Sequence, residues 1–409
     1  MSKPHNASAA GASLFLSPEA PFPVIGGGAM RTASLLTYFA RKGPVDRILF
    51  REPGHPDPAA GFPPGMAGRS CVIDLPFHRK DRLSRLARNA RRAILGRPAL
   101  VDRFAGFSEE MGNFLRQHRF QIGVIEHFWC VPYLELLKQH CEEVWLDLHN
   151  IESVLQERSA LVAGGLDAPG YRRFARIYRE KEQEWFPRFD RILAASEPDA
   201  ALVREAAPSA RVVVFPNTIP ERPRPERVEE DVIAFSGNLA YPPNIEAVRY
   251  FAQEVWPALR QRWPGLRWRL IGKNPEAVSR YVRGEKYIQL SGPVEDAVRE
   301  LARAKVAVVP VRSGSGTRIK ILEAWAAATP VVSTTIGAEG LPARNGEELL
   351  LADDPKRFAE TVSECLASQD RRFRIGEAGR RLYEKSFTWQ AGWRLLDREW
   401  VQDRTPAEE

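Results

Sequence analysis

The chain has 409 residues, of which 44% are hydrophobic and 10% aromatic. That is material for two or three domains with cores of their own, and it excludes a disordered or fibrous protein. A net charge of +7 favours an anionic partner, whether nucleic acid, anionic lipid or a phosphorylated ligand, without choosing among them. The four cysteines, Cys71, Cys130, Cys141 and Cys365, form no Cys-x-x-Cys pair, and no histidine sits at zinc-ligand spacing. Neither a disulfide framework nor a structural metal is therefore expected, and a reducing cytoplasm fits.

The opening residues are small and polar, and the apolar run "LFL" that follows is too short for a signal-peptide core. No stretch approaches the ~20 apolar residues that span a bilayer, so the expectation is a soluble chain, at most bound to a membrane surface. Short apolar strands then alternate with helical segments, the pattern of a parallel sheet wrapped by helices. Strands are predicted at 13–17, 47–51, 70–75, 122–128, 144–148, 191–196 and 211–216. The proline-dense, charged stretch "PNTIPERPRPERVEED" (216–231) lacks apolar periodicity and reads as a connector between domains. Beyond it the alternation restarts, with strands at 232–237, 266–272, 286–292, 306–311 and 329–334. Two open α/β domains in tandem are the economical reading, and their ligands are expected beyond the carboxyl ends of the strands.

Five segments carry chemistry. In "PFPVIGGGAMR", Gly26, Gly27 and Gly28 allow a tight loop before a helix that starts near Ala29, although a simple turn has the same composition. His127 in "VIEHFW" and His149 in "LDLHN" lie at strand ends, where a histidine serves either a site or the packing of a loop. Residues 79–98 hold eight basic residues and one acid. Leu83, Leu86, Ala87, Ala90 and Ile94 fall on one helical face there. The stripe suits either an anionic lipid surface or the flank of the N-terminal sheet. With no interleaved aromatics, the segment fits nucleic acid poorly. Finally, "VAVVPVRSGSGTRIKILEAW" reads as a buried strand, a glycine-rich loop and a helix. Gly314 and Gly316 let the backbone approach a ligand closely, and the free N–H groups of the first helical turn, which starts at Thr317, favour an anion, with Arg318 and Lys320 adding positive charge. A carboxylate at Glu323 could accept hydrogen bonds from two ribose hydroxyls. The plainer alternative is a helix with solvated charges.

Residues 306–341 together resemble the donor-sugar motif of retaining glycosyltransferases of the GT-B fold, specifically family 4, also called group 1. Residues 233–275 and the junction "FPNTIP" are similar to the same family, as is "FTWQAGWRLLDREW" (387–400) to its last helix. The resemblance implies two Rossmann-like doubly wound domains facing a cleft. These would be a flexible N-terminus (1–13), an acceptor domain (14–218), a linker (219–231), a donor domain (232–385) and a C-terminal helix crossing back (386–403). It implies that Gly237, Ser315, Gly316, Thr317, Arg318, Lys320 and Glu323 bind the donor. Gly26, Gly27, Gly28 and His149 would face phosphate and acceptor, and His127 would be catalytic with Arg318 and Lys320. Ser315 stands where the family usually has a glutamate, and Asn238 and either Pro243 or Asn244 stand near its usual arginine and lysine. Arg318 and Lys320 are therefore expected to supply the missing charge.

The expected activity is retaining transfer of a sugar from a nucleotide-diphosphate donor. The acceptor would be a lipid-linked or surface glycan in bacterial polysaccharide biosynthesis. Neither a metal nor a cofactor is expected, nor a nucleic-acid partner. The chain would be cytoplasmic, or peripheral on the inner face of the membrane through residues 79–98. An epimerase of similar architecture and a non-catalytic nucleotide- or glycan-binding protein are the alternatives.

Overall fold

Strands rich in valine, isoleucine and leucine are stable only when covered on both faces, and the runs predicted from sequence form two such sheets. The structure is a computed structural model that describes residues 12–24, 26–78, 81–162, 168–313 and 319–402. The chain separates into two units, Met1–Phe215 and Pro216–Glu409.

In the first unit the strands are β1 (Ser13–Ser17), β2 (Val45–Arg51), β3 (Ser70–Asp74), β4 (Phe120–Glu126), β5 (Cys141–Asp147), β6 (Arg191–Ala194) and β7 (Val212–Val214). They pair in the order β3-β2-β1-β4-β5-β6-β7, and every pairing is parallel. The helices are α1 (Gly27–Ala40), α2 (Arg82–Leu95), α3 (Ala99–Phe104), α4 (Ser108–Leu115), α5 (Leu134–Lys138), α6 (Glu152–Val162), α7 (Ala168–Trp185) and α8 (Glu197–Ala206). Leu14, Leu16, Ile48, Ile125, Leu146 and Ile192 lie in one core cluster. Most boundaries shift by one to three residues from expectation, and two of the shifts bear on the site. α1 begins at Gly27 rather than Ala29. β4 stops at Glu126, because His127 takes φ 63° and turns the chain out of the sheet, so Phe128 is buried in a short turn and not in the strand.

The second unit repeats the scheme with β8 (Glu230–Ser236), β9 (Arg267–Ile271), β10 (Ile288–Gly292), β11 (Ala304–Val309), β12 (Val331–Ser333) and β13 (Leu350–Leu351). Their order is β10-β9-β8-β11-β12-β13, and each pair is parallel. Its helices are α9 (Pro242–Tyr250), α10 (Trp256–Arg262), α11 (Ser279–Val282), α12 (Ala297–Leu301), α13 (Ile319–Ala326), α14 (Pro355–Ala367), α15 (Gln369–Ser386) and α16 (Trp389–Gln402). β13 was not anticipated: two residues carry no periodicity, and pairing with β12 alone defines it. α16 follows a bridge between Ile219 and Thr388 that ties the start of this unit to its last helix.

Each sheet reverses strand order once, at β1 and β4 in the first unit and at β8 and β11 in the second. Loops leaving the carboxyl ends of neighbouring strands diverge there and leave room for a ligand. At the second reversal the backbone is packed to its limit. Gly272, after β9, has φ +145°, and a Cβ on it would lie 1.8 Å from the Gly237 carbonyl oxygen after β8. Gly272→Ala is therefore expected to destabilise the second unit by about 2–4 kcal/mol. Urea unfolding checks this, and an unchanged midpoint would mean that the two loops relax freely.

Candidate functional site

In the first unit the carboxyl ends of β4 and β5 carry a set of buried ionisable groups. Arg31, on α1 and only 1% exposed, donates through Nε to Asp147 at 3.0 Å and through Nη2 at 2.5 Å. Its Nη1 donates to the Phe215 carbonyl at 2.5 Å. Burial raises the Asp147 carboxyl, but the Arg31 guanidinium and His149 outweigh it, and the net shift is downward. Glu126, one strand over, accepts from the Ser17 hydroxyl at 3.0 Å. Burial, and then the Asp147 charge, push Glu126 upward. Two carboxyls side by side thus divide the roles, one ionised and one favouring its proton.

The two histidines flagged by sequence meet here. His149 Nε2 lies 3.3 Å from Asp147 Oδ2, and the His127 and His149 ring centroids are 3.7 Å apart. On its other face His127 stacks on Trp129 at 4.2 Å and 13°. Burial first, then His149 and Arg31, hold the His127 pKa well below its usual value, so the ring is uncharged at neutral pH. Its φ of 63° is a strained backbone setting of the kind that gathers at functional sites. Trp129 is fixed in turn: its indole N–H donates to Glu152 at 3.0 Å. The Glu182 carboxylate accepts from the amide and hydroxyl of Ser153 at 3.0 and 2.5 Å.

The glycine loop adjoins this cluster. Gly26 has φ +103°, and a Cβ on Gly28 would come within 3.8 Å of His149 Nδ1 and 3.2 Å of Glu19 Oε2. Gly27 is the first residue of α1. Glu126, Asp147 and His149 each present one ligand atom within 4.8 Å of the others, a spacing that a metal could use. The donor set fits poorly, because Arg31 already engages both Asp147 oxygens at 3.0 Å and supplies the positive charge a metal would bring.

In the second unit, the ends of β8 and β11 assemble a second cluster. The Ser236 hydroxyl donates to Glu323 Oε2 at 3.0 Å. Glu323 keeps part of its surface accessible, while burial of its carboxylate, opposed by Ser236 and Lys320, raises its pKa. Lys320 Nζ donates to Asn244 Oδ1 at 2.9 Å and lies 5.1 Å from the Phe235 ring centroid. Asn244 Nδ2 donates to the Asn238 carbonyl at 2.7 Å. A Cβ on Gly237 would lie 3.0 Å from Asn244 Nδ2 and 3.6 Å from Lys320 Nζ. Arg312, another cation after β11, is held by Glu246 at 2.6 Å and by the Tyr250 ring at 4.0 Å.

Of the residues singled out from sequence, Gly237, Lys320 and Glu323 come together in this second cluster. His127, His149 and Gly26 to Gly28 come together in the first. Ser315, Gly316, Thr317 and Arg318 lie outside the described residues. Sequence reasoning missed Arg31, Asp147, Glu126, Trp129 and Glu152. A faint signal existed: an arginine on the buried side of a helix and an acid at each of two neighbouring strand ends.

Residues 230–368 match the family model described as glycosyl transferases group 1. Among curated proteins, an uncharacterized 44.6 kDa protein in the cps region of Klebsiella pneumoniae is 25% identical over 138 residues, 32% of this chain and 36% of that protein. An exopolysaccharide phosphotransferase of Streptomyces coelicolor is 28% identical over 197 residues, 45% of this chain and 20% of that protein. The chain thus spans about a third and a fifth of these relatives' lengths. Among solved structures, sucrose-phosphate synthase from Thermosynechococcus elongatus superposes with a TM-score of 0.73 at 17% identity, covering 96% of this chain and 98% of that one. Anabaena HepE in complex with UDP and glucose gives 0.64 at 12%, with 95% and 99% covered. Staphylococcus aureus TarM with UDP, Fondaparinux and alpha-GlcNAc-glycerol gives 0.68 at 10%, with 96% and 100% covered. The fold of this chain is GT-B.

Burial raises the Glu152 carboxyl from 4.5 to about 8. The folded chain therefore holds a proton there that the unfolded chain has lost, and stability falls as pH rises from 4.5 to about 8. Glu152→Gln keeps an acceptor for Trp129 but does not titrate. Its stability relative to wild type should rise by on the order of 2 kcal/mol between pH ~5 and ~8 in urea unfolding. Parallel pH profiles would show that Glu152 is ionised throughout.

Proposed function

We propose, on the match of residues 230–368 to the glycosyl transferases group 1 model, that the protein is a retaining glycosyltransferase using a nucleotide-diphosphate sugar. The observation that carries this reading is the Glu323 carboxylate, oriented by Ser236 at 3.0 Å with Lys320 one helical turn before it, where the second sheet reverses. In this reading Glu323 accepts from the two hydroxyls of a ribose. Lys320 and Arg318 balance the diphosphate, and the amides of the loop holding Ser315, Gly316 and Thr317 close round it. Asn244 fixes the ammonium of Lys320 in place of a second cation. Arg312 takes no part, since Glu246 already holds it.

The first unit would hold the acceptor. His127 there is an uncharged, immobilised ring that can exchange a hydrogen bond with a sugar hydroxyl without adding charge, and His149 and the Gly26 to Gly28 loop lie beside it. Charge stabilisation of the departing diphosphate and positioning account for the rate, and no side-chain nucleophile is required. The reading uses neither metal nor cofactor, since Arg31 matches the Asp147 charge and Lys320 with Arg318 meets the phosphates. HepE was crystallised with UDP and glucose, and TarM with UDP, which supports a donor of this class. The acceptor in this reading is a surface or lipid-linked glycan; the names of two relatives, a protein in a cps region and an exopolysaccharide phosphotransferase, support a surface polysaccharide as the product class.

Release of nucleoside diphosphate that depends on added acceptor, with the anomeric configuration retained in the product, is the expected outcome. Lys320→Ala should weaken donor binding by about 2 kcal/mol, roughly 30-fold. Isomerised donor formed without acceptor would mark an epimerase, and donor binding without turnover would mark a binding protein.

A further inference from the structure

Twelve large apolar side chains are exposed among the described residues, and five of them, Phe77, Leu83, Ile94, Leu95 and Leu100, fall within residues 77–100. Single exposed apolar residues are ordinary, but a cluster on one segment marks an interaction surface. The segment is built as a helix. Asp81 caps α2 by accepting from the Ser84 amide at 2.9 Å. Gly96 ends it at φ 58°, and Arg92 Nε is tied to Asp102 at 2.9 Å.

The apolar stripe faces outward. Leu83 is 79% exposed and Ile94 82%, with Ala87 and Ala90 between them also exposed. Sequence periodicity left open whether this stripe packs on the first sheet; these exposures show that it does not. Arg91 and Arg97 are exposed and Arg88 partly so, and none of the three has an acidic partner among the described residues. At 100° per residue, Arg91 lies about 90° round the helix from the stripe's centre, the place of a cation at headgroup level when the stripe is immersed. No helix among the described residues is long and apolar enough to cross a membrane, so the fitting mode is a helix lying in the interface.

We propose that α2, with Phe77, docks the first unit onto an anionic lipid surface, the stripe of Leu83 to Ile94 entering the acyl boundary and Arg91 and Arg97 meeting the phosphates. Charge selects this partner: the 79–98 segment carries eight basic residues and one acid, which a neutral protein groove would leave unmatched. The inference does not depend on the sugar-transfer reading.

The test is co-sedimentation of the full chain with vesicles of phosphatidylcholine alone and of phosphatidylcholine mixed with phosphatidylglycerol. Binding is expected only to the mixed vesicles, and Arg91→Glu with Arg97→Glu should lower the partition coefficient about 100-fold. Leu83→Asp with Ile94→Asp should lower it about 100-fold as well. Both variants alter exposed side chains, so their circular dichroism and nucleoside-diphosphate binding should match wild type. Absence of binding to the mixed vesicles overturns the proposal, as does full binding by the Leu83/Ile94 variant, which would reduce the effect to diffuse charge. Concentration-dependent self-association or capture of another protein through Leu83 and Ile94, without vesicle binding, also overturns it.

Discussion

The constraint on which the rest depends is the single reversal of strand order in each sheet. β1 lies between β2 and β4, and β8 between β9 and β11, so the loops that leave these strands part and cannot cover one another's backbone groups. Polar side chains and glycines must fill the gap. That is why β4 ends on Glu126 and is followed by His127, β5 ends on Asp147 with His149 just beyond it, and β8 ends on Ser236 with Gly237 and Asn238 after it. The register that buries Leu16 beside Ile125 in the strands also fixes where these groups emerge.

The two clusters solve the problem of buried charge differently. In the first unit, Arg31 is engaged by Asp147 and the Phe215 carbonyl. This leaves Glu126 with a raised pKa and His127 with a lowered one, so both favour their uncharged forms. The outcome is a rigid ion pair among uncharged, stacked rings, suited to orienting a neutral hydroxyl-bearing molecule. In the second unit, Lys320 and Glu323 retain accessible surface, with Lys320 donating to the Asn244 amide oxygen and Glu323 accepting from the Ser236 hydroxyl. Charge kept available in this way suits an anionic, hydroxylated ligand.

Much of this could be read from the sequence, for identifiable reasons. Buried parallel strands are continuous apolar runs, so twelve of them announced themselves; β13, at Leu350 and Leu351, had no length in which to do so. Gly237, Lys320 and Glu323 were legible because their spacing relative to strand and helix ends carries the chemistry. Arg31 and Asp147 were not, because 116 positions separate them in the chain and only the β4–β5 pairing and the seating of α1 bring them together. Glu152 was hidden in the same way: nothing in "HNIES" says that its carboxyl receives the Trp129 indole N–H. For α2, periodicity defined the apolar face, but only the fold shows that nothing among the described residues covers Leu83 and Ile94.

The central claim is that the Glu323 cluster is a nucleotide site, and calorimetric titration of UDP, GDP, ADP and dTDP into wild type and Glu323→Ala tests it most directly. The account predicts that one of the four binds selectively and that its affinity collapses in the variant while the fold is kept. If none binds, or if the favoured nucleotide binds Glu323→Ala as tightly as wild type, Glu323 is an ordinary helix carboxylate and the account is contradicted.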